Sequence, residues 1–276
     1  MSEQSPPRRM SVSAACAALL TIVATLFTLV ATFFTLVATP SAAAAPTVIQ
    51  GPDTKVQLVE LFTSEGCSSC PPADSWLAKL ESSPSLWQRI APIGLHVDYW
   101  DQLGWRDRFA SPSNTARQRN YVRVGSANGV YTPGWFVDGK EWRGWFNRQA
   151  LPANAGTRVG SLRLTIDGED VHVQTLVPEL ANKAYTLHVA LVGVGLTSEI
   201  RRGENEGRTL NHAFVQLANS NARFVHGEGR LRLPNRLPSE MPRRRAVVAW
   251  VTGSTDPTPL QAVGGWLPAA AALARR

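Results

Sequence analysis

The sequence is poor in thiols and imidazoles. It has three cysteines and five histidines in 276 residues. Cys16 stands near the N-terminus, so Cys67 and Cys70 are the only thiols of the rest of the chain. Any intramolecular disulfide outside the leader must join those two, which excludes a disulfide-stapled fold. The histidines, His96, His172, His188, His212 and His226, do not pair at metal-ligand spacing. Two cysteines supply half of a zinc site, and His96 would add to a copper site. Without further ligands at spacing, the expectation is no metal and no cofactor. A nucleic-acid motif is also missing. The formal net charge is +7, and loss of two arginines and one glutamate with the leader leaves +6. Arg243-Arg244-Arg245 is its densest cluster, and the excess reads as a mildly basic surface with no nucleic-acid partner.

The N-terminus has the layout of an export signal. Arg8 and Arg9 precede a charge-free apolar run over residues 11–39, and Pro40-Ser41-Ala42-Ala43-Ala44-Ala45 offers small-residue cleavage sites. The run is long because Ala24–Val30 is followed by a near-copy, Ala31–Val37. With both copies it reaches bilayer-spanning length. Residues 1–45 therefore read as a signal peptide or an N-terminal membrane anchor. Either way the rest is exported, periplasmic or secreted, with inner-membrane anchoring by residues 11–39 as the alternative to cleavage. A disulfide persists in such a compartment.

Glu65-Gly66-Cys67-Ser68-Ser69-Cys70-Pro71-Pro72 is the centre of the chemistry. The apolar run Val56–Phe62 before it reads as a strand. Ala73–Leu80 after it places Trp76, Leu77 and Leu80 at helical spacing, and Pro71 and Pro72 suit a first helical turn. Unpaired N–H groups and the macrodipole at a helix start favour a thiolate. Helix-start cysteines in such motifs have pKa values of about 3.5 to 7.5. A second strand is expected over Ile90–Tyr99 and a helix over Ser113–Val124. Asp138-Gly139 marks a hairpin after Tyr131-Thr132-Pro133. Beyond the linker Leu151–Gly156, alternation over Leu162–Ile166 and Val171–Val177 and further strand signals point to antiparallel β structure.

This order resembles the thioredoxin superfamily pattern: Cys67-Ser68-Ser69-Cys70-Pro71, Thr132-Pro133, then Phe136-Val137-Asp138-Gly139-Lys140. The wider runs Glu60–Asp74, His96–Asp101 with Leu103-Gly104-Trp105, Tyr131-Thr132-Pro133 and Arg202-Gly203-Glu204-Asn205-Glu206-Gly207 resemble a secreted bacterial family, domain of unknown function 1223. The resemblance implies a cis Thr132–Pro133 bond lying against the dithiol. The expected fold is an α/β thioredoxin-like domain over 47–150, followed by an all-β, antiparallel sandwich-like domain over 155–276.

The chemistry expected is thiol–disulfide exchange on other exported proteins, or with a membrane thiol-redox partner. Cys67, nearer the solvent, attacks as thiolate and Cys70 resolves the mixed disulfide. Pro133 and the Thr132 backbone would hold an extended substrate strand. Glu60 is the candidate buried proton carrier. In thioredoxins the acid lies one residue closer to the motif, and strand faces alternate, so either face is open to Glu60. Glu65 would oppose a nearby thiolate. His96, Asp98, Tyr99 and Trp100 line a substrate groove in one reading and form a satisfied strand-end network in the other. The Arg202–Gly207 loop either docks beside the motif or is a solvated turn. The rival to exchange is a non-enzymatic peptide- or protein-binding module with a structural disulfide.

Overall fold

The computed structural model describes residues 45–180, 183–225, 227–233 and 242–268. The expected leader, with its apolar run and Cys16, lies outside the described residues. No described helix is long and apolar enough to cross a membrane.

The described residues from 46 onward form one compact unit. In chain order the elements are β1 (Thr47–Gln50), β2 (Gln57–Thr63), α1 (Pro71–Lys79), β3 (Ile90–His96), α2 (Pro112–Arg123), β4 (Gly134–Val137) and β5 (Lys140–Glu141). They continue with β6 (Ser161–Asp167), β7 (Asp170–Leu176), β8 (Ala184–Val194), β9 (Leu196–Glu199), β10 (Thr209–His212), β11 (Val215–Val225), β12 (Glu228–Arg232), β13 (Arg244–Gly253) and β14 (Pro259–Trp266). Eight strands make one mixed sheet in the order β14-β13-β8-β11-β3-β2-β4-β5. A four-stranded sheet, β1-β6-β7-β12, and a β9–β10 ribbon complete the fold.

This corrects the expectation of an α/β thioredoxin-like domain followed by a separate antiparallel sandwich. The molecule is predominantly β, and strands from both halves share the large sheet. The junction is β11 on β3. Val215 pairs with Gly94 in parallel, and Gly94 N donates to Phe214 O at 2.8 Å. A Cβ at Gly94 would meet Ala213 O at an ordinary 3.5 Å and the Leu77 side chain more tightly at 3.3 Å, so the glycine eases the packing of α1 on this junction. An unpaired β3 edge is a liability, and the long strand β11 closes it. β11 then pairs along its length with β8, and β8 with β13, extending the sheet antiparallel.

Three apolar layers hold the assembly. Val59, Leu61, Ala73, Leu77 and Trp135 pack between the sheet and α1. Leu58, Phe62, Ile93, Leu95, Tyr121 and Phe136 fill the opposite face, under α2. Leu162, Leu164, Val171 and Val173 of the small sheet meet Leu187, Val189, Val247 and Val251. The Asp138-Gly139 turn forms as the sequence signals, both residues at positive φ. Asp167-Gly168-Glu169-Asp170 likewise joins β6 to β7.

Candidate functional site

β2 ends at Thr63 and the chain turns at once, with Cys67 N donating to Ser64 O. Cys70 is the N-cap residue of α1, and the Ala73 and Asp74 N–H groups donate to its carbonyl. Pro71 and Pro72 fill the first turn, where no N–H is needed. Cys67 and Cys70 are joined as a disulfide, Cα–Cα 5.5 Å, with Ser69 Oγ 3.3 Å from Cys67 Sγ.

Cys67 is not on the surface. Both cysteines are 0% exposed, and only Ser68 and Ser69 between them face solvent. The cover comes from the Arg202–Gly207 loop, which docks. Asn205, 0% exposed, donates through Nδ2 to Glu65 O and to Cys67 O, each at 2.9 Å. Its Oδ1 accepts from Arg208 Nη1 at 3.0 Å. Glu204 Oε2 accepts from Ser68 N at 3.0 Å, and these hydrogen bonds from Ser68 hold the carboxyl below its ordinary range. Gly203, at φ +82°, packs on Leu103 and Trp105, where a side chain would be strained.

Trp100 closes the other side. Its Nε1 donates to Thr132 Oγ1 at 2.8 Å, and a Cβ on Gly66 would approach Trp100 Cβ to 3.2 Å. The Thr132–Pro133 bond is cis, and Pro133 is buried at the start of β4. Trp100 thus links the cysteine turn to the cis peptide.

Beneath the disulfide lies a buried polar cluster. Thr63 and His96 are partners across β2 and β3 and face α1. The Thr63 hydroxyl donates to Asp74 Oδ2 at 3.1 Å, and burial raises the Asp74 carboxyl to about 6. His96 Nδ1 lies 2.6 Å from Asp107 Oδ2. Burial opposes its charge, but the Asp107 carboxylate outweighs this and raises His96 to about 9. Asp107 is held below its ordinary value against burial, by His96 and by the Glu65 and Phe109 N–H groups. Glu65 turns inward, and its Oε2 accepts from Trp105 Nε1 at 2.7 Å. Its Oε1 lies 3.2 Å from His212 Nε2, an ion-pair contact without hydrogen-bond alignment. Despite burial, Glu65 is held below its ordinary value.

The sequence-derived residues therefore divide. Cys67, Cys70, Thr132, Pro133 and Trp100 come together, and His96 joins from below. Asp98 and Tyr99 instead tie the strand end to α2. Asp98 Oδ1 accepts from the Thr115 hydroxyl, and Tyr99 OH donates to Gln118 Oε1 at 3.1 Å. Burial raises the Tyr99 phenol to about 12. Glu60 lies on the far face of β2, bonded to Arg117 Nε and, at 2.7 Å, to Tyr121 OH. Alternation along β2 sets Thr63 toward α1 and Glu60 away from it. Asp74, Asp107 and His212 were not singled out from sequence. Asp74 had a usable signal, since it stands one helical turn after Cys70; Asp107 and His212 had none. Among the described residues no group of three or more His, Cys, Asp or Glu is arranged to hold a metal ion.

The profile of the family described as "Protein of unknown function (DUF1223)" matches residues 58–252, most of the chain and all of the site just described. The chain belongs to the DUF1223 family. The matched span contains both the cysteine turn and the loop that covers it. No curated protein is significantly similar to this DUF1223 chain. Among solved structures it is similar to a protein of Agrobacterium tumefaciens, with 24% identity, a TM-score of 0.50, and coverage of 77% of this chain and 94% of the other. It is also similar to HBP35 of Porphyromonas gingivalis, with 13% identity, a TM-score of 0.51, and coverage of 82% and 79%. At these identities the likeness concerns the fold alone.

Proposed function

We propose that this DUF1223 protein is an exported thiol–disulfide oxidoreductase acting through Cys67 and Cys70 on disulfides of other exported proteins. The observation that carries the reading is a Cys-x-x-Cys disulfide at a helix start, set over a buried proton-holding cluster. A staple of this kind has little structural value. Closing a loop of about four residues stabilises by only about 2 kcal/mol in the chain-entropy model. Asp74, by contrast, is ionised at a cost to stability, since burial raises it to about 6, and a buried carboxyl perturbed in this way beside a dithiol is a mark of a working site.

In the reductive direction the Cys67 thiolate attacks one substrate sulfur. The substrate S–S bond breaks, a mixed disulfide forms and one substrate thiolate leaves. Cys70 then loses its proton and attacks Cys67 Sγ, releasing the second substrate thiolate and closing the Cys67–Cys70 bond. In this reading the Asp74 carboxyl, one turn from Cys70 and raised by burial to about 6, takes that proton. The oxidative direction is the reverse. Because both sulfurs are covered, exchange requires the 202–207 loop to lift.

One observation favours the rival reading, a binding module with an inert disulfide: neither cysteine is exposed. A redox titration separates the two. An exchange pair has a potential of about −120 to −270 mV, and a structural bond lies below about −300 mV. Insulin reduction by the wild type, absent from Cys67→Ser and Cys70→Ser, is the accompanying activity test. The basic, apolar, small-residue leader supports export, and N-terminal mass spectrometry of the mature protein tests it.

A further inference from the structure

A second concavity lies on the far side of the sheet from the disulfide. Helix α2 covers the β2–β3 part of this face and stops. The neighbouring part, made by β11, β8 and β13, is left open between α2 and the 253–257 turn, and the space measures about 840 Å³. This is toward the upper end for small-molecule sites. Cross-strand register puts Asn221, His188 and Trp250 side by side on its floor, with Thr186 and Thr252 in the next row. The floor is partly sunk. Trp250 is 3% exposed, and its Nε1 has no hydrogen-bond partner. His188 stacks on the Trp250 ring, 5.0 Å between centroids, and Arg117 sits 4.8 Å from the same ring. Burial and the Arg117 charge lower His188 to about 3, so it is neutral at any physiological pH.

The lining narrows the ligand. Carboxamides and hydroxyls are frequent: Asn120, Asn219 and Asn221, with Ser113 and Thr186. Each both donates and accepts, which matches a sugar hydroxyl. β8 lies between β11 and β13 with both edges paired, so the floor offers no free main-chain ladder to an extended peptide. Charge is one-sided. Arg119 and Arg123 stand on the α2 wall, Arg117 is neutralised by Glu60, and Asp256 is the one carboxylate among the lining residues. We infer that this groove is a binding site for an acidic oligosaccharide, its hydroxyls read by the asparagines and its carboxylates by Arg119 and Arg123. The site is independent of the disulfide chemistry, because the sheet lies between them.

The test is calorimetric titration of the full chain with trigalacturonate, maltotriose and triglutamate, repeated on the Asn221→Ala/Arg119→Ala double variant. Both side chains are exposed, so the fold is not at stake. Saturable trigalacturonate binding, weakened at least tenfold in the variant, supports the inference, as does maltotriose binding at least tenfold weaker. Absence of saturable trigalacturonate binding overturns it. So does equal affinity in wild type and variant, or triglutamate or maltotriose binding as tightly as trigalacturonate. A shift of the Trp250 indole N–H resonance on saturation supports the location, and an unmoved resonance overturns it.

Discussion

Replacing Asn205 by alanine should unlock the disulfide. Asn205 is fully buried and donates to the carbonyls of Glu65 and Cys67, so it clamps the covering loop to the cysteine turn. Each neutral hydrogen bond contributes about 1 kcal/mol net, and the abandoned carbonyls add some desolvation cost while the loop stays closed. The closed state therefore loses about 2 to 3 kcal/mol, which raises the open population roughly 30- to 150-fold. A reductant reaches Cys67 only in opened molecules. If opening and closing are fast relative to the chemistry, the rate follows the open population. The assay is pseudo-first-order reduction by dithiothreitol at pH 7, read as free thiol, with global stability measured in urea on the same samples. Glu204→Gln, which alters an exposed carboxylate on Ser68 N, serves as the comparison and should accelerate reduction only a few-fold. A rate for Asn205→Ala within about threefold of wild type, with the expected fall in global stability, refutes the loop as the barrier.

Three further outcomes follow from the buried charges. Asp74 titrates at about 6 against an unfolded value of 3.8, so its ionisation costs stability as pH rises from about 4 to 6 and the full cost persists above. Asp74→Asn should thus be up to about 3 kcal/mol more stable than wild type at pH 8 and no more stable near pH 4, by urea unfolding. His96 is raised from 6.5 to about 9, so its pairing with Asp107 stabilises fully below pH 6.5 and is lost as pH rises through 9. The penalty of His96→Gln, about 3 to 5 kcal/mol at pH 6, should shrink by pH 10. Glu60→Gln leaves Arg117 buried without its carboxylate and should destabilise by about 3 to 5 kcal/mol, while the Cys67–Cys70 potential stays within about 15 mV of wild type; a larger shift would return Glu60 to the dithiol.

What the sequence disclosed was local. The strand–cysteine–helix order rests on neighbours within a dozen residues, and the Asp138-Gly139 turn on two. The face of Glu60 was not legible because all seven residues of β2 are buried. A strand covered on both sides shows no polar alternation to fix its phase. The merging of the halves was not legible either. It depends on a single parallel pairing of Val215 with Gly94, and nothing near either residue marks its partner 121 positions away. The docked loop fell between. Its polar run was visible, but the site it covers is 136 residues away, from Ser68 to Glu204.

The placement of the cluster bears on which thiol attacks. Reduction of the disulfide creates two sulfurs in unlike surroundings. Cys67 lies outside α1, with the Ser69 hydroxyl within 3.3 Å, so an anion there is met by a hydroxyl and by the positive end of the helix. Cys70 begins the turn that carries Asp74, with Glu65, Asp107 and His96 behind it. The carboxyls of Asp74, Glu65 and Asp107, set against the imidazoles of His96 and His212, make a second buried anion costly, so the proposed resolution by Cys70 calls for a base to accept its proton. Asp74 is such a base only above about pH 6, when it is ionised. Under the proposed exchange reaction, attack by Cys67 and resolution by Cys70 would then be separated by the site's own electrostatics. Resolution of a trapped mixed disulfide should accelerate as pH rises through 6 in the wild type, and that acceleration should be missing in Asp74→Asn. If the variant keeps the same pH profile, the cluster is structural and the proton leaves by another route.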